Sequence, residues 1–146
     1  MPVSLQNLLK IGQLKEHPPD AAEVQRLLAA AARNLADARV MTISPETRFD
    51  AAYKAVMQAA LAALMAHGYR PDTSRPGHHA TVVQGLALTI ALASARVTVL
   101  DTLRRKRIYP TTRARISMIL RWSIALSRLT SCCRMSRHGS RPIDHN

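Results

Sequence analysis

The sequence predicts an all-α fold, an antiparallel bundle of four to five helices, from its composition and its breaker residues. The chain has 146 residues, the size of one domain with one hydrophobic core. Of these residues 47% are hydrophobic but only 3% are aromatic, so aliphatic side chains must build that core. Ala and Leu are strong helix formers, and breaker residues divide the chain into helical stretches. Short connections between such stretches favour antiparallel packing.

Residues 2–15 predict a short first helix with Leu5, Leu8 and Leu9 on one face. The His-Pro-Pro sequence at 17–19 ends it, because proline cannot continue a helix. The next helix is therefore expected to begin directly after the second proline.

Asp20 predicts the start of a second helix of about 20 residues, because its carboxylate can accept from unpaired N–H groups of the first turn. Glu23 stands three positions on, where a capping-box partner is expected. The predicted apolar stripe of this helix consists of Val24, Leu27, Leu28, Ala31, Leu35 and Ala38.

The third helix has clear signals at both ends. Ser44 is a predicted N-cap, Pro45 suits the first helical position, and Glu46 complements the positive end of the helix dipole. The helix is predicted to run to His67 and to stop at Gly68. Its predicted apolar face consists of Phe49, Tyr53, Val56, Met57, Ala60, Leu61 and Leu64.

Residues 69–77 contain Pro, Gly, Asp and Ser and predict a loop. A fourth helix is predicted to begin near His78 and His79, although Gly85 weakens it by about 1 kcal/mol relative to Ala. Two alternatives remain after it. Either this helix continues, or Ser94 caps a fifth helix that reaches the basic cluster through Val97, Leu100 and Leu103.

The net charge of +12 suggests a polyanionic partner, but the charge is unevenly distributed. Residues 1–103 carry ten basic and eight acidic side chains. Four more cations follow as Arg104, Arg105, Lys106 and Arg107, and residues 108–146 add seven Arg against one Asp. The basic character therefore belongs to the last third of the chain.

The chain changes character after Arg107, which predicts a division into a helical bundle over 1–107 and a basic tail over 108–146. Residues 111–130 form a helical candidate whose apolar side chains fall on all sides, and 131–146 are predicted to be disordered. The fold prediction is thus a bundle with an irregular or helical C-terminal extension.

Several function classes are not expected from the sequence. The first residues lack the apolar region of a signal peptide, and the longest uncharged apolar stretch, 80–95, is too short to span a membrane. Cys132 and Cys133 are adjacent, and His138 alone cannot complete a metal site with them. We therefore expect no metal, no cofactor, no membrane span and a reducing, cytoplasmic location.

The third predicted helix resembles the signature helix of the HEPN family, the higher eukaryotes and prokaryotes nucleotide-binding domains. The similarity lies in Arg-Phe-Asp-Ala-Ala-Tyr-Lys-Ala at 48–55, followed by a small-residue run and Gly-Tyr at 68–69. Pro-Gly-His-His at 76–79 and Leu-Asp-Thr-Leu-Arg-Arg-Lys-Arg at 100–107 also resemble its bacterial members. The resemblance covers roughly residues 20–107.

The resemblance implies a bundle of four or five helices, often a homodimer. Many members are the toxin half of a toxin–antitoxin pair whose antitoxin is a minimal nucleotidyltransferase, and active members are metal-independent ribonucleases. They use an Arg followed after four to six residues by a His, or a variant with Tyr. The guanidinium binds phosphate and stabilises developing charge, while a His can move the proton of the 2′-hydroxyl.

By resemblance, Arg107 occupies the position of the catalytic Arg, but its partner is missing. The residue five positions on is Thr112, and Tyr109 follows too closely. Pro110 would also break a helix that presents the pair. The resemblance therefore implies a ribonuclease fold whose activity is impaired in this chain.

A shift of reading frame after codon 107 would explain why Arg107 lacks its partner. Restoring one A ahead of the codon for Ile108 converts the two Thr codons at 111 and 112 into codons for Tyr, His, Asn or Asp. The hypothesis is that 108–146 are a frameshifted tail on a truncated domain. The gene sequence around codon 107 tests it, because the alternative phase should continue as a helical sequence.

The same residues also allow simpler interpretations. The cluster Arg104–Arg107 either contacts RNA, DNA or a protein partner, or is only a solvated cationic helix end that complements the dipole. His78 and His79 are expected to be a polar helix start, and His67 to complement a helix C-terminus. Ion pairs of Arg48 and Asp50, if exposed, are expected to contribute little. A non-catalytic nucleic-acid-binding protein is the main alternative function.

Overall fold

The structure, a computed structural model, describes residues 4–105. Within that range the elements, in chain order, are α1 Leu5–Lys10, β1 Leu14–Glu16, α2 Ala21–Ala38, α3 Pro45–Ala66, β2 Tyr69–Pro71, α4 His78–Thr89 and α5 Ser94–Arg105. The described chain is thus mainly helical, as predicted, with one small sheet that the sequence did not predict. Among the described helices, none combines the length and apolar character needed to cross a membrane.

The predicted starts of α2 and α3 are confirmed by their cap contacts. The carboxylate of Asp20 accepts from the Ala22 N–H at 2.8 Å, and the hydroxyl of Ser44 accepts from the Thr47 N–H at 3.2 Å. Pro45 is the first residue of α3. Gly68 follows the C-cap of this helix and has a φ of +87°, the left-handed conformation that favours glycine after a helix end. These local signals therefore determine both helix boundaries.

Glu23 does not act as the predicted capping-box partner. Its Oε2 lies 2.7 Å from Nε2 of His17, in the segment that precedes α2. The contact is available because the backbone N–H of His17 donates to the carbonyl of Gly68 at 2.9 Å, which fixes the histidine beside the helix start. Glu23 therefore joins α2 to the segment before it.

The predicted first helix over 2–15 is too long, because within the described part of that stretch, 4–15, the helix ends at Lys10. Gly12 has a φ of +73°, which turns the chain so that Leu14–Glu16 becomes a strand instead. This strand pairs in antiparallel fashion with β2, and Leu14 lies opposite Pro71. The prediction of a pure loop over 69–77 is therefore wrong for Tyr69–Pro71, because backbone pairing with a distant segment makes that part extended.

α3 is the central helix of the described chain. It packs along α2 on one side and against α4 on another, and β2 lies against it as well. Small side chains allow this close packing, since Ala52, Ala55, Ala59, Ala60, Ala62 and Ala63 are all buried. The main core cluster joins α3 to Leu8, Leu14, Val82, Val83, Leu86 and Leu100. Residues from α1, β1, α4 and α5 thus share one core with α3.

Arg48 links α2 to α3 through the backbone rather than through an ion pair. Its Nε donates to the carbonyl of Ala38 at 2.8 Å, and the side chain is partly buried. Ala38 is the last residue of α2, where carbonyl groups lack helical partners. A cation at this end also complements the helix dipole. Arg48, which lies in the first turns of α3, therefore caps the C-terminal end of α2.

The helical stretch after residue 77 divides into two helices, as the second alternative predicted, although Ser94 is the first residue of the second helix and not its cap. α4 ends at Thr89, and α5 begins at Ser94. Between them Ala91 has a φ of +53°, and it is the one non-glycine residue with positive φ in 4–105. The backbone N–H groups of Ile90 and Leu92 both donate to the carbonyl of Leu86. The chain therefore reverses at this junction without Gly or Pro.

Residues 106–146 lie outside the described range. The predicted boundary at 107, the predicted helix over 111–130 and the predicted disorder of 131–146 therefore stay predictions, as do Lys106, Arg107 and the two cysteines.

Candidate functional site

The last turn of α5 carries the first half of the predicted basic cluster. Leu100 is 1% exposed and anchors the helix to the core, with Val97 packed against the same cluster. On the outer side, the hydroxyls of Thr98 and Thr102 donate to the carbonyl groups four residues before them, at 3.0 and 2.9 Å. The helix is thus continuous up to Arg105, and Arg104 and Arg105 lie within its final turn.

One carboxylate holds both arginines. Arg104 places Nε and Nη2 at 2.9 and 2.8 Å from Oδ1 of Asp101, and Arg105 places Nε at 2.8 Å from Oδ2. Asp101 precedes its partners by three and four residues, the spacing that brings helix side chains together. Each of these partly exposed pairs contributes only about 0.5 kcal/mol. Their larger effect is that this turn carries a net charge of about +1 instead of +2.

The two arginines differ in how accessible they are. The side chain of Arg104 is 25% exposed, whereas that of Arg105 is 72% exposed. Arg105 is therefore the described cation of this cluster that can reach a phosphate with the least rearrangement. Lys106 and Arg107 lie outside the described residues, so phosphate binding by the whole cluster and a catalytic role for Arg107 stay predictions.

The histidines that the sequence singled out stand at helix ends. His67 is the C-cap of α3, and its Nδ1 lies 2.8 Å from the carbonyl of Ala63, the place expected for a residue that complements a helix C-terminus. His78 and His79 open α4, with ring centroids 4.3 Å apart. Nδ1 of His78 lies 3.4 Å from the carbonyl of Arg75. A polar helix start is confirmed for this pair.

A polar cavity of about 170 Å³ lies where the loop before α4 meets the N-terminal segment. It was not predicted, because it joins residues that are far apart in sequence. Nη1 of Arg75 donates to the carbonyl of Ile11 at 3.2 Å, and the buried Thr81 hydroxyl lies 3.5 Å from Oε1 of Gln13. The lining residues are Gln13, Asp72, Arg75, Pro76, His78 and Thr81.

Asp72 organises the rim of this cavity. Its Oδ1 accepts from the hydroxyl of Ser74 at 2.6 Å and from the backbone N–H of Ser74 at 3.0 Å, and it lies 3.2 Å from Nζ of Lys15. The hydrogen bonds from Ser74, and then the nearby Lys15, lower the pKa of Asp72 from 3.8 to about 2. An acid that is ionised at neutral pH and already bound to three donors is a poor proton donor.

A second, more open depression of about 470 Å³ lies between α2 and α3. Nδ2 of Asn34 donates to Oε1 of Gln58 at 2.7 Å and to the carbonyl of Ala30 at 3.1 Å, which joins the two helices across its floor. Arg33, Asp37 and Lys54 lie at its sides. Two cationic side chains and one acidic side chain line it, so its charge is only slightly positive.

Within residues 4–105, no group of three or more His, Cys, Asp or Glu side chains is arranged to hold a metal ion. Comparison of the chain with protein-family models, with curated proteins and with solved structures finds no match. The function of the chain is therefore inferred from its own residues and their arrangement.

Proposed function

We propose that this chain is a HEPN-like toxin component of a toxin–antitoxin pair, descended from a metal-independent ribonuclease and impaired in its present form. The observation that carries the proposal is that α5 continues as a helix up to Arg105 and is anchored in the core by Leu100. The basic cluster thus begins on a rigid element, which precise phosphate binding requires. The resemblance at 48–55 and 100–107 supplies the family, its antiparallel bundle and its homodimer.

The chemistry of such a site needs two groups. An arginine binds the scissile phosphate through parallel N–H donors, and a His or Tyr manages the proton of the attacking 2′-hydroxyl. Arg107 is the proposed first group, and Thr112 stands where the second belongs. Without a general base the rate falls by about 10²–10⁴-fold, so the chain as it stands should show little cleavage.

Restoring the missing group tests the proposal directly. The full chain with Pro110→Ala and Thr112→His regains an uninterrupted Arg-x4-His spacing after Arg107. We expect this variant to cleave RNA in the presence of a metal chelator, whereas the unaltered chain does not. Cleavage should disappear again when Arg107→Ala is added. If the restored variant is folded by circular dichroism yet inactive, the ribonuclease ancestry loses its support.

A non-catalytic nucleic-acid-binding protein is the alternative, and the uneven distribution of charge favours it. Residues 4–105 contain twelve basic and eight acidic side chains, whereas nine basic side chains and one acidic side chain lie beyond Arg105. Binding through phosphates weakens steeply with salt in proportion to the number of contacts. RNA and DNA affinities measured at several salt concentrations should lose most of this dependence when 108–146 are deleted.

The antitoxin partner has its own test. If a nucleotidyltransferase is encoded beside this gene, the two proteins should co-purify when expressed together. Co-purification without RNA cleavage by the restored variant would indicate a bundle that only docks a nucleotidyltransferase. The DNA around codon 107 would show in addition whether 108–146 are a frameshifted tail.

A further inference from the structure

The junction between α4 and α5 holds the chain in an unfavourable backbone conformation. Ala91 has a φ of +53°. In this left-handed region the Cβ of an L-residue approaches the following carbonyl oxygen, so Gly is the usual occupant. The strain is maintained by the turn itself, in which Leu92 donates its N–H back to the carbonyl of Leu86 at 3.3 Å.

The sequence of the junction is suited to a helix rather than to a turn. Its residues are Ile90, Ala91, Leu92 and Ala93, and Ala and Leu are among the best helix formers. If these four residues became helical, residues 78–105 would form one helix about 42 Å long. Straightening would remove the left-handed conformation and would add a full turn of helical hydrogen bonds.

A straight helix over 78–105 would also have a continuous apolar seam. Residues of this seam recur at alternating spacings of three and four, with β-branched side chains at 83, 90 and 97 and with Leu or Ala at 86, 93 and 100. In the folded-back chain the seam is interrupted, because Ala93 is exposed and Ile90 is only half-buried. The spacing therefore fits the straight form better than the broken one.

α5 is attached to the rest of the described chain mainly through α4. Among the side chains of α5 that the structure describes, Leu100, which is 1% exposed, belongs to the core cluster, and Val97, which is half-buried, packs against it. If the junction straightened, α5 would leave as a unit, would uncover the part of α4 that it covers, and would withdraw Leu100 from the core cluster that it shares with Val83 and Leu86. The α5 of another copy has the matching apolar face, so it can restore the contacts that were lost.

We propose that two copies of this chain exchange α5, each straightening its α4–α5 junction and packing its α5 against the α4 of the other copy. The interface is the one already present within a single chain, so no new complementary surface is needed. Relief of strain at two Ala91 residues and the added helical turns favour the exchange. The loss of independent motion of two molecules opposes it, so the dimer should depend on protein concentration.

The exchange predicts a particular response to glycine at the junction. Gly adopts the left-handed conformation readily and weakens a continuous helix, so Ala91→Gly should favour the folded-back monomer on both counts. Light scattering on the full-length chain over a range of concentrations should show a dimer Kd raised about tenfold or more. Ala95→Gly is the matched control, because residue 95 is exposed and helical in both forms, and its dimer Kd should not change.

A distance measurement distinguishes exchange from ordinary association. Gln84 and Thr102 are exposed and would lie on the same side of a straight helix, 18 residues apart, or about 27 Å. Spin labels at Gln84→Cys and Thr102→Cys, in a Cys132→Ser, Cys133→Ser chain diluted with unlabelled protein, report the separation within one chain. The dimer fraction should show a separation of about 27 Å that the monomer fraction lacks.

Three results would each overturn the proposal. They are a chain that stays monomeric at every concentration, a dimer whose label separation equals that of the monomer, and a dimer Kd that Ala91→Gly leaves unchanged. The last two would indicate association through another surface.

Discussion

At the scale of single residues, two aspartates organise parts of the molecule that the sequence left undefined. Asp72 binds the hydroxyl and the N–H of Ser74 as well as Lys15 of the N-terminal segment. Asp101 binds the guanidinium groups of Arg104 and Arg105. In each case one carboxylate satisfies several donors, so its replacement should affect a whole turn or helix end rather than one contact.

Asp72→Asn should alter the response of stability to acid. The pKa of Asp72 is about 2 in the folded chain, against 3.8 for an ordinary Asp, because Ser74 and Lys15 favour the ionised form. A lowered folded pKa contributes stability that is present above pH 3.8 and is lost as the pH falls through about 2. In urea unfolding, the free energy of unfolding of Asp72→Asn should therefore be lower than that of wild type at pH 5. The difference between the two should become smaller toward pH 2.

Ser74→Ala supplies the control for the origin of this effect. It removes the 2.6 Å hydroxyl donor but keeps the carboxylate. The folded pKa of Asp72 should rise toward its ordinary value, so the acid-dependent loss of stability should be smaller than in wild type and should be complete at a higher pH. If wild type and both variants lose stability in parallel between pH 5 and pH 2, the Ser74 contacts do not stabilise the folded chain.

Asp101→Asn should strengthen binding to RNA. The change removes the charge that holds Arg104 and Arg105, so both guanidinium groups become available to phosphates. We expect the Kd for RNA at low salt to fall about threefold to tenfold and its salt dependence to become steeper. Removal of the two ion pairs should lower the free energy of unfolding by about 0.5 kcal/mol per pair. Filter binding or fluorescence anisotropy at several salt concentrations measures the first effect.

Asp50→Asn is the control for net charge, because Asp50 is an exposed acid on α3 and the change of charge is identical. It should strengthen RNA binding less than Asp101→Asn does. Equal gains from both variants would mean that overall charge governs binding and that the end of α5 has no special part in it.

At the scale of elements, Gly85 determines how closely α4 approaches α3. A Cβ at this position would lie 3.0 Å from Cδ2 and 3.3 Å from Cγ of Leu64, a side chain that is fully buried. Ala is preferred over Gly in a helix by about 1 kcal/mol, but overpacking a tight core costs about 1–3 kcal/mol. Gly85→Ala should therefore lower the free energy of unfolding, by about 1 kcal/mol net.

A comparison within α4 and a double variant separate the two contributions. Gln84→Ala changes an exposed neighbour in the same helix and should be within about 0.5 kcal/mol of wild type. Leu64→Ala should cost about 2–5 kcal/mol in the wild-type chain but less in the Gly85→Ala chain, because the crowding is then removed. If the two variants are strictly additive, contact between Gly85 and Leu64 does not limit the packing.

The helices could be predicted where the chain carries a local signal. Asp20 and Ser44-Pro45 mark the starts of α2 and α3, Gly68 marks the end of α3, and all are confirmed. Such signals work because a cap satisfies backbone groups within a few residues of itself. The break before α5 was predicted only as one of two alternatives, because Ile90–Ala93 contains neither Gly nor Pro.

Contacts between distant segments could not be predicted. β1 and β2 are three residues each and pair across more than fifty intervening positions, so neither has a periodicity of its own. The predicted capping-box role of Glu23 was wrong for the same reason. Glu23 contacts His17 instead, and a backbone hydrogen bond to the distant Gly68 positions that histidine. The cavity that joins Gln13 to Asp72 and Thr81 follows from that pairing. The ion pairs of Asp101 with both arginines, in contrast, are predictable from the helical spacing of three and four residues, although they were not among the sequence-based predictions.

At the scale of the whole molecule, the N-terminal segment closes the helical core. β1 pairs with β2 after α3, and the ladder is extended at both ends by His17 to Gly68 and by Asp72 to Gln13, at 2.9 and 3.0 Å. The side chain of Leu14 anchors β1 in the core, because it is only 1% exposed. The short segment before α2 is therefore part of the same packed unit as α3 and α4.

Leu14→Ala tests that role. Removal of a fully buried Leu side chain should lower the free energy of unfolding by about 2–4 kcal/mol. It should also speed amide exchange at His17 and Asp72, whose N–H groups extend the ladder. Glu16→Ala, an exposed change in the same strand, should stay within about 0.5 kcal/mol of wild type. Similar effects of the two variants would mean that the strand is held by its backbone alone.

The pairing of β1 with β2 also sets an order of events during synthesis. Leu14–Glu16 leaves the ribosome about 55 residues before Tyr69–Pro71, which at roughly 5–20 residues per second is a delay of about 3–11 s. During this interval the strand has no partner, while α2 and α3 already have each other. The nascent chain can therefore pack α2 against α3 first and attach its N-terminal strand only afterwards, when Tyr69–Pro71 emerges and before α4 and α5 follow.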